Sequence, residues 1–140
     1  MSTDKDKATV RRFYTDALDD GNLDAIDEIA VEDYIENGMI PGQGTGRQGL
    51  KDRVTILRNA FAPRFTLEDV IAEGDRVVVR WKNHCTHVGE FMGIPPTGKP
   101  YSIDGIDIYR LENGKMAEHW HVIDQLSMLQ QIGVLPSPQG

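Results

Sequence analysis

The spacing of apolar residues changes at Pro63, and this change limits the folds that the chain can adopt. Before Pro63, apolar residues recur every three to four positions, the spacing of helices that bury one face. After Pro63, apolar and polar residues alternate, as they do in strands with one buried face. Helices first and strands second predict an α+β fold, in which three N-terminal helices pack on an antiparallel sheet.

Turn residues divide each half into elements. Gly21 ends a first helix, a short second helix covers residues 22–29, and a third, ended by Pro63, carries Leu50 and Phe61 on one face. Strands are predicted from Phe65, along a long segment from residue 77, and at residues 101–111 and 116–124, with glycine-rich loops at 37–49 and 89–100. A long sheet covered by helices on one face curls into a cone, and its mouth is the expected ligand site.

Composition narrows the classes of partner. The 140 residues predict one domain, residues 1–140, with a formal charge of −7, which argues against a nucleic-acid binder. No apolar run is long enough for a membrane span, and the charged start lacks the apolar region of a secretory signal. Together with the single cysteine, Cys85, these features predict a cytoplasmic domain acting on a small molecule.

The segment "EHWHVID" concentrates chemically active side chains on one predicted strand. His119 and His121 lie on one face of that strand, and Trp120 lies on the other. A two-residue Asn-Gly turn before this strand would pair Asp107 with Trp120, whereas a three-residue loop would pair Asp107 with His121. The Asn-Gly sequence alone slightly favours the first of these registers.

In the second register, a polar group of side chains faces the predicted cavity. An aspartate that accepts a hydrogen bond from one imidazole nitrogen raises the basicity of the other, which makes His121 a general base positioned by Asp107. Gly105, on the same face, would leave room for a ligand. Two alternatives stay open: the histidines chelate a metal with Asp107, or they are surface or interface residues satisfied by their neighbours.

Several stretches of the chain resemble the SnoaL-like polyketide cyclase family, within the nuclear transport factor 2-like superfamily of α+β cones. The matching stretches are "RRFY…DALDDGNLDAIDEIAVEDYIENG", "DRVVVRW" and "THVGEFMGIPPTGKPYSIDGIDIYRLENGKMAEHWHVIDQLSMLQQIG". They follow the order of the family and cover nearly the whole chain. The resemblance implies a deep apolar pocket, and homodimers or homotetramers formed through the sheet.

The resemblance also implies a reaction. The similar aldol cyclases close a ring in an anthracycline precursor ester without metal or cofactor, using an aspartate on the last strand and a histidine on the preceding strand. Here His121 stands in the place of the aspartate and Asp107 in that of the histidine. The pocket glutamine of the family falls on Gly105, and its pocket asparagine falls near Glu36 or Asn37. A working pair at 107 and 121 requires the three-residue loop, which we therefore predict.

The sequence thus predicts a cofactor-independent acid/base enzyme of the cyclase type, acting on a small, apolar, ring-containing substrate. His121, Asp107 and His119 are the predicted catalytic residues. The predicted substrate-binding residues are Tyr14, Asn37, Trp81, His87, Phe91, Met92, Gly105, Tyr109 and Asp124. Asp124 has an alternative role as the cap of a terminal helix. A dehydratase or isomerase with the same His/Asp pair, and a binding module without turnover, remain alternative functions.

Overall fold

The structure, a computed structural model, describes residues 3–136 and has the α+β architecture expected from the sequence. Its helices are α1 (Thr3–Arg12), which continues into a π-helical segment (Phe13–Asp19), α2 (Asp24–Ile29), α3 (Gly46–Phe61) and α4 (Gln125–Gln131). Its strands are β1 (Ala30–Glu36), β2 (Arg64–Glu73), β3 (Arg76–Thr86), β4 (Pro100–Glu112) and β5 (Lys115–Ile123). Within the described range, no helix combines the length and apolar character needed to cross a membrane.

The five strands form one open sheet in the order β1-β5-β4-β3-β2. Neighbouring strands from β2 to β5 are antiparallel, as predicted, but β1 pairs in parallel with β5 at one edge. The sequence analysis missed β1 because its fully buried residues, Ala30 and Tyr34, lie four positions apart across an irregularity in the pairing. This strand brings Glu36 beside His119, and it therefore matters for the site.

The N-terminal helices cover the inner face of the sheet. Val10 and Ala17 are fully buried and belong to the same apolar cluster as Val77 and Val79 of β3. Helix α3 adds Leu50, Val54 and Phe61 to this core and ends at Ala62, whose left-handed backbone (φ 44°) turns the chain into β2. Burial of these apolar side chains is the main force that holds the helices over the sheet.

The β4–β5 hairpin has the predicted register but not the predicted loop. Its turn is the two-residue Asn113-Gly114 pair, with φ values of 51° and 80°, as a primed hairpin turn requires. A bulge at Ala117 then shifts the pairing by one residue, so that Asp107 lies opposite His121. The predicted three-residue loop is wrong, because a bulge within the strand supplies the extra residue that we assigned to the turn.

The outer face of the sheet is partly apolar and carries charged pairs. Val122 is 76% exposed and Ile106 is 45% exposed there. The guanidinium of Arg76 lies 5.3 Å from the ring centre of Trp120. A homo-oligomer formed through the sheet stays a prediction.

Candidate active site

A cavity of about 340 Å³ lies between the inner face of the sheet, helix α3 and the loops at residues 37–45 and 87–99. Most of its wall is apolar and aromatic. The apolar wall includes Phe13, Leu57, Phe61, Phe65, Trp81, Phe91 and Ile103. Polar side chains are confined to a few positions, which are Arg53, Asn83, Asp107, Tyr109, His119, His121 and Gln125. A mostly apolar cavity with few polar groups is typical of a small-molecule site.

Asp107 and His119 form the floor of the cavity, and Glu36 behind them completes a row of three ionisable side chains with His119 at its centre. The Nε2 atom of His119 lies 2.9 Å from Oδ1 of Asp107 on β4. Its Nδ1 atom lies 2.8 Å from both carboxylate oxygens of Glu36, at the end of β1. His119 is 4% exposed and Asp107 is 7% exposed, so this row is shielded from bulk water.

Asp107 receives further hydrogen bonds from the protein core. The indole Nε1 of Trp81 donates to Oδ2 of Asp107 at 2.8 Å, and the hydroxyl of Tyr14 donates to the same oxygen. The Tyr14 hydroxyl also lies 2.8 Å from that of Tyr109. Gly105 permits this arrangement, since a Cβ atom there would lie 2.2 Å from the Trp81 ring. The carboxylate is thus fixed on several sides before any ligand binds.

The charges in this row stabilise one another. Burial alone would lower the pKa of His119, but the hydrogen bonds with Asp107 and Glu36 raise it to about 9. Burial opposes ionisation of both carboxyl groups, yet the hydrogen bond with His119 leaves the pKa of each below its usual value. At neutral pH the row is therefore a carboxylate–imidazolium–carboxylate triad, and both nitrogens of His119 act as donors.

His121 has a different environment, although it lies only two residues away on the same strand face. Burial, followed by the positive charge of Arg53, lowers its pKa below 6.5. Nη2 of Arg53 lies 3.4 Å from Nδ1 of His121, and Nη1 donates to the Gly38 carbonyl at 2.9 Å. The ring also packs against Gly38, where a Cβ atom would lie 2.8 Å from Cε1 of His121. His121 is therefore a neutral imidazole at the cavity wall at neutral pH.

The structure corrects the predicted pair of Asp107 and His121. The two residues are opposite in the sheet, but the imidazole that bonds Asp107 is that of His119, and His121 turns toward Arg53. The reason is competition for the carboxylate, whose oxygens already accept from His119, Trp81 and Tyr14. No hydrogen bond between Asp107 and His121 forms within residues 3–136.

Some of the predicted substrate-binding residues line the cavity and the others lie off its wall. Trp81, Phe91, Met92 and Tyr109 line the cavity, and their contact with substrate stays a prediction. Tyr14 is 1% exposed and lies behind Asp107, outside the cavity wall.

Asn37 supports β5 from outside the cavity wall. Its backbone N–H donates to the carbonyl oxygen of His119 at 3.1 Å, and its side-chain Nδ2 donates to the same oxygen at 2.9 Å. Nδ2 also donates to the carboxylate of Glu118. Its predicted role in binding substrate oxygens is not supported, because these partners hold its donors away from the cavity.

Three other predicted substrate contacts also lie off the cavity wall. His87 is completely buried and packs against Phe61 at 5.8 Å between ring centroids, with its Nδ1 facing Thr97. The space beside Gly105 is filled by the indole of Trp81, so it holds no ligand. Asp124 is exposed and accepts a hydrogen bond from the backbone N–H of Ser127, which is the helix-cap alternative.

Arg53 and Gly38 were missed by the sequence analysis, and Glu36 appeared only through the alignment of the family's pocket asparagine. Arg53 lies on the predicted third helix between inward-facing apolar positions, and its sequence pattern is that of an ordinary surface arginine. Its side chain is only 12% exposed because it bends under the loop to reach Gly38 and Glu36. The sequence did contain one signal for Arg53: it lies within one helical turn of Val54 and Leu57, which face inward.

Glu36, His119 and His121 also form a group with the donor set of a metal site. One ligand atom from each lies within 4.8 Å of the others. The guanidinium of Arg53, however, is 3.9 Å from Glu36 and 3.4 Å from His121, where it would repel a cation. Both nitrogens of His119 are also engaged by carboxylates. The positive charge of Arg53 and the occupied nitrogens of His119 therefore disfavour a metal ion between these three residues.

Comparisons with known proteins agree with this architecture. The family model for the SnoaL-like polyketide cyclases matches residues 8–132. DnrD of Streptomyces peucetius, an aklanonic acid methyl ester cyclase, is 31% identical over an alignment that covers 100% of this chain and 98% of that protein. The nogalonic acid methyl ester cyclase of Streptomyces nogalater is 29% identical, with 84% of this chain and 90% of that protein covered. The solved structure of TsrD from Streptomyces laurentii superposes with a TM-score of 0.88 at 26% identity, covering 96% of this chain and 99% of that one.

Proposed function

The chain belongs to the SnoaL-like polyketide cyclase family, and on that premise we propose that it closes a ring by an intramolecular aldol reaction without a cofactor. The proposed substrate is a small, largely apolar, ring-containing ester, which fits a cavity with aromatic walls. Similar proteins are named as cyclases of aklanonic acid methyl ester and nogalonic acid methyl ester. These two esters are therefore the first candidates to test.

One observation supports this mechanism above others: His121 is a neutral imidazole on the cavity wall beside a buried guanidinium. The other two predicted catalytic groups are saturated, since His119 donates from both nitrogens and Asp107 is ionised with its pKa held low. A carboxylate whose pKa lies below 3.8 and whose oxygens already accept several hydrogen bonds is a poor base at neutral pH, whereas His121 is neutral and has only one long polar contact. His121 is therefore the proposed general base.

The proposed reaction conserves every atom of the substrate. The unprotonated nitrogen of His121 takes a proton from a carbon next to a carbonyl group, and the electrons of the C–H bond move onto the carbonyl oxygen as an enolate. Arg53 stabilises that negative charge. The enolate carbon attacks a ketone of the same molecule, a C–C bond forms, and the resulting alkoxide takes the proton back from His121. The imidazole begins and ends neutral.

Asp107, His119 and Glu36 have a supporting role in this mechanism. Their triad carries a net negative charge of one, which balances the positive charge of Arg53. It also holds the side chain of His119, two residues before His121 on β5, between two carboxylates. We propose that the triad positions the base and sets the local charge.

The test is conversion of aklanonic acid methyl ester and nogalonic acid methyl ester, followed by chromatography and mass spectrometry. We expect a product of unchanged mass that has lost one ketone and gained one hydroxyl group. His121→Ala should lower kcat/KM by roughly 10²–10⁴, the usual contribution of a positioned acid/base group. His84→Ala is the matched control, because His84 is exposed on β3 and contacts Ser102 outside the cavity.

The same measurement separates the alternative functions. Loss of water from the substrate would indicate a dehydratase, and unchanged mass without a new ring would indicate an isomerase. Saturable binding with no chemical change, equal in the wild type and His121→Ala, would indicate a binding module. A His121→Ala variant that retains wild-type kcat/KM would contradict His121 as the base.

A further inference from the structure

One nitrogen of the Arg53 guanidinium is held by the loop at residues 37–45. Nη1 of Arg53 donates to the Gly38 carbonyl at 2.9 Å and to Oε1 of Gln43 at 3.2 Å. These two acceptors use both N–H groups of Nη1. The other terminal nitrogen, Nη2, approaches Nδ1 of His121 at 3.4 Å. The contacts with the loop therefore decide which edge of the guanidinium faces the proposed base.

The Gln43 side chain is itself fixed by a tight turn. Its backbone N–H donates to the carbonyl of Ile40 at 3.0 Å, and its Oε1 accepts from the N–H of Ile40 at 3.2 Å. Pro41 and Gly42 occupy the central positions, with a φ of 91° at the glycine, as in a type II turn. Gln43 is 8% exposed and lies outside the cavity wall. The turn thus presents Oε1 to Arg53 at a defined place.

The side chain at position 43 is an amide, although a carboxylate would satisfy its neighbours better. Oε1 meets two donors, and the amide nitrogen Nε2 is left buried without a hydrogen-bond partner in the described part of the chain. Such unpaired buried groups are unfavourable, and native proteins contain few of them. A glutamate would accept from the same two donors, but its negative charge would offset that of Arg53. The neutral amide fixes Arg53 and leaves its positive charge to act on the site.

A second acceptor competes for the same nitrogen of Arg53. Oε1 of Glu36 lies 3.9 Å from Nη1, which is too far for a hydrogen bond but close enough for attraction between charges. Without the contact to Gln43, this attraction would draw the guanidinium toward Glu36 and away from His121. The neutral acceptor in the loop therefore opposes the pull of the carboxylate.

We propose that Gln43 is a positioning residue, which holds the Arg53 guanidinium with Nη2 toward His121 and the cavity. This inference rests on the proposed function only for the role given to Arg53, the stabilisation of the enolate. Gln43 touches neither the substrate nor the reacting atoms. Its effect on the reaction passes through Arg53.

NMR of the arginine side chains tests the position of the guanidinium without any turnover. A guanidinium that is held in place gives separate ¹⁵N signals for Nη1 and Nη2, whereas rotation averages them, and ¹³C detection avoids the need for exchangeable protons. We expect resolved signals for Arg53 in the wild type. In Gln43→Met, which keeps the side-chain length but removes the amide, exchange between the two signals should become about 10- to 100-fold faster, because a hydrogen bond to a charged group is lost.

Two controls accompany this measurement. Gln48→Met makes the same substitution at an exposed position of α3 and should leave the Arg53 signals unchanged. Arg58 is an internal reference, because its Nη1 donates to two backbone carbonyls at 2.6 Å and has no contact with the loop. Its signals should stay resolved in every variant that folds.

Titration of the His121 ring gives a second readout. Its pKa is lowered first by burial, and the charged groups that act on it are Arg53, His119, Asp107 and Glu36. In Gln43→Met the midpoint should rise toward 6.5, because the guanidinium moves away. Gln43→Glu should raise the midpoint as well, yet keep the Arg53 signals resolved, because the carboxylate retains the acceptors and offsets the charge. A role in folding alone would not separate the two readouts in this way.

Three results would overturn the positioning role. The first is a wild type in which the Arg53 signals are already averaged. The second is a Gln43→Met variant that keeps both the resolved signals and the wild-type midpoint of His121. The third, which decides the matter if Gln43→Met does not fold, is a Gln43→Glu variant with the wild-type midpoint.

Kinetics separate this proposal from the proposed function. On an ester that the protein converts, Gln43→Met should lower kcat about 10- to 100-fold and change KM by less than about twofold, because the stabilising charge is misplaced while the cavity wall is intact. Faster exchange at Arg53 in this variant, in a protein that converts neither ester, would support the positioning role and reject the cyclase. Conversion of an ester with equal kcat in the wild type and Gln43→Met would do the reverse.

Discussion

The two imidazoles of the His-Trp-His segment belong to two regions that are built differently. His119 lies in the floor of the cavity, where every polar atom of the Glu36–His119–Asp107 triad has a partner. His121 lies at the wall, where its polar contact is a long 3.4 Å approach to Arg53. Residue type and strand face are the same, yet the pKa moves up in one case and down in the other.

This difference shows that the neighbours of an imidazole decide its role. Two carboxylates raise the pKa of His119 to about 9, so its imidazole is a cation at neutral pH and bridges both of them. A guanidinium and partial burial keep His121 neutral and able to accept a proton. A site that needs both a fixed charge and a free base can therefore place them two residues apart on one strand.

Removal of Asp107 should have the largest effect on the floor. In Asp107→Ala, the buried imidazole loses one of its two carboxylates, and the free energy of unfolding should fall by about 3 to 5 kcal/mol. Asp104→Ala is the matched control, since Asp104 lies on the same strand but pairs with Lys82 on the exposed face. That control should cost about 0.5 kcal/mol or less. Urea unfolding of both variants measures the difference, and equal losses would reject a buried ionic floor.

Replacement of Arg53 should have the next largest effect. It changes the charge beside His121 at the cavity wall, and therefore kcat. Arg53→Met removes the charge that stabilises the enolate, and kcat should fall by roughly 10²–10³. The pKa of His121 should rise at the same time, because Arg53 lowers it, so the acidic limb of the pH–rate profile moves to higher pH. Arg53→Lys keeps the charge and should recover part of the rate. An unchanged profile in Arg53→Met would contradict the coupling of Arg53 to His121.

The pH dependence of the free energy of unfolding should report the charge of His119 in the wild-type protein. The pKa of His119 is about 9 in the folded state and 6.5 in its ordinary state. The folded protein therefore binds more protons between these values. The resulting stabilisation is complete below pH 6.5 and is lost as the pH rises through about 9, with a slope of at most about 1.4 kcal/mol per pH unit.

Unfolding experiments across this pH range test the assignment. His119→Gln should remove the slope, whereas His84→Ala should leave it intact, since His84 is on the exposed face of β3. A wild-type stability that is flat from pH 6.5 to 9 would show that His119 is not a cation in the folded protein.

Substitution of Gly38 should have the smallest effect on kcat of the changes considered, because it displaces only the His121 ring. In Gly38→Ala, the new Cβ atom would lie 2.8 Å from Cε1 of His121, so the ring has to move. We expect kcat to fall about tenfold from this displacement of the base, with little change in stability. Gly44→Ala, in the same loop, would meet only the end of the flexible Asp52 side chain and should retain full activity. Equal kcat in both variants would show that the ring position does not matter.

Much of the fold could be predicted from the periodicity of the sequence. The change at Pro63 located the helices and the antiparallel strands, because each buried face imposes a regular spacing. Strand β1 could not be found in this way, since it is an edge strand whose buried residues are four positions apart. The hairpin register was correct for a wrong reason, because turn residues do not reveal a bulge three positions farther along, at Ala117.

The site was harder to predict than the fold. Strand alternation correctly placed Asp107, His119 and His121 on one face. It did not show which imidazole would form a hydrogen bond with Asp107, since that depends on Glu36 and Arg53 from two distant elements. Long-range neighbours fix protonation, and they are not visible in local sequence patterns.

The proposed mechanism requires that His119 is a cation and His121 is neutral at neutral pH, and a titration of the four histidine rings by ¹⁵N NMR measures both states. We expect His119 to keep both ring protons up to a pH of about 8. We expect His121 to titrate below its ordinary value of 6.5. Assignment comes from His119→Gln and His121→Ala, each of which removes one signal. A spectrum in which His119 is neutral at pH 7, or in which His121 loses its proton at a higher pH than His119, would contradict these protonation states and the role of His121 as the base.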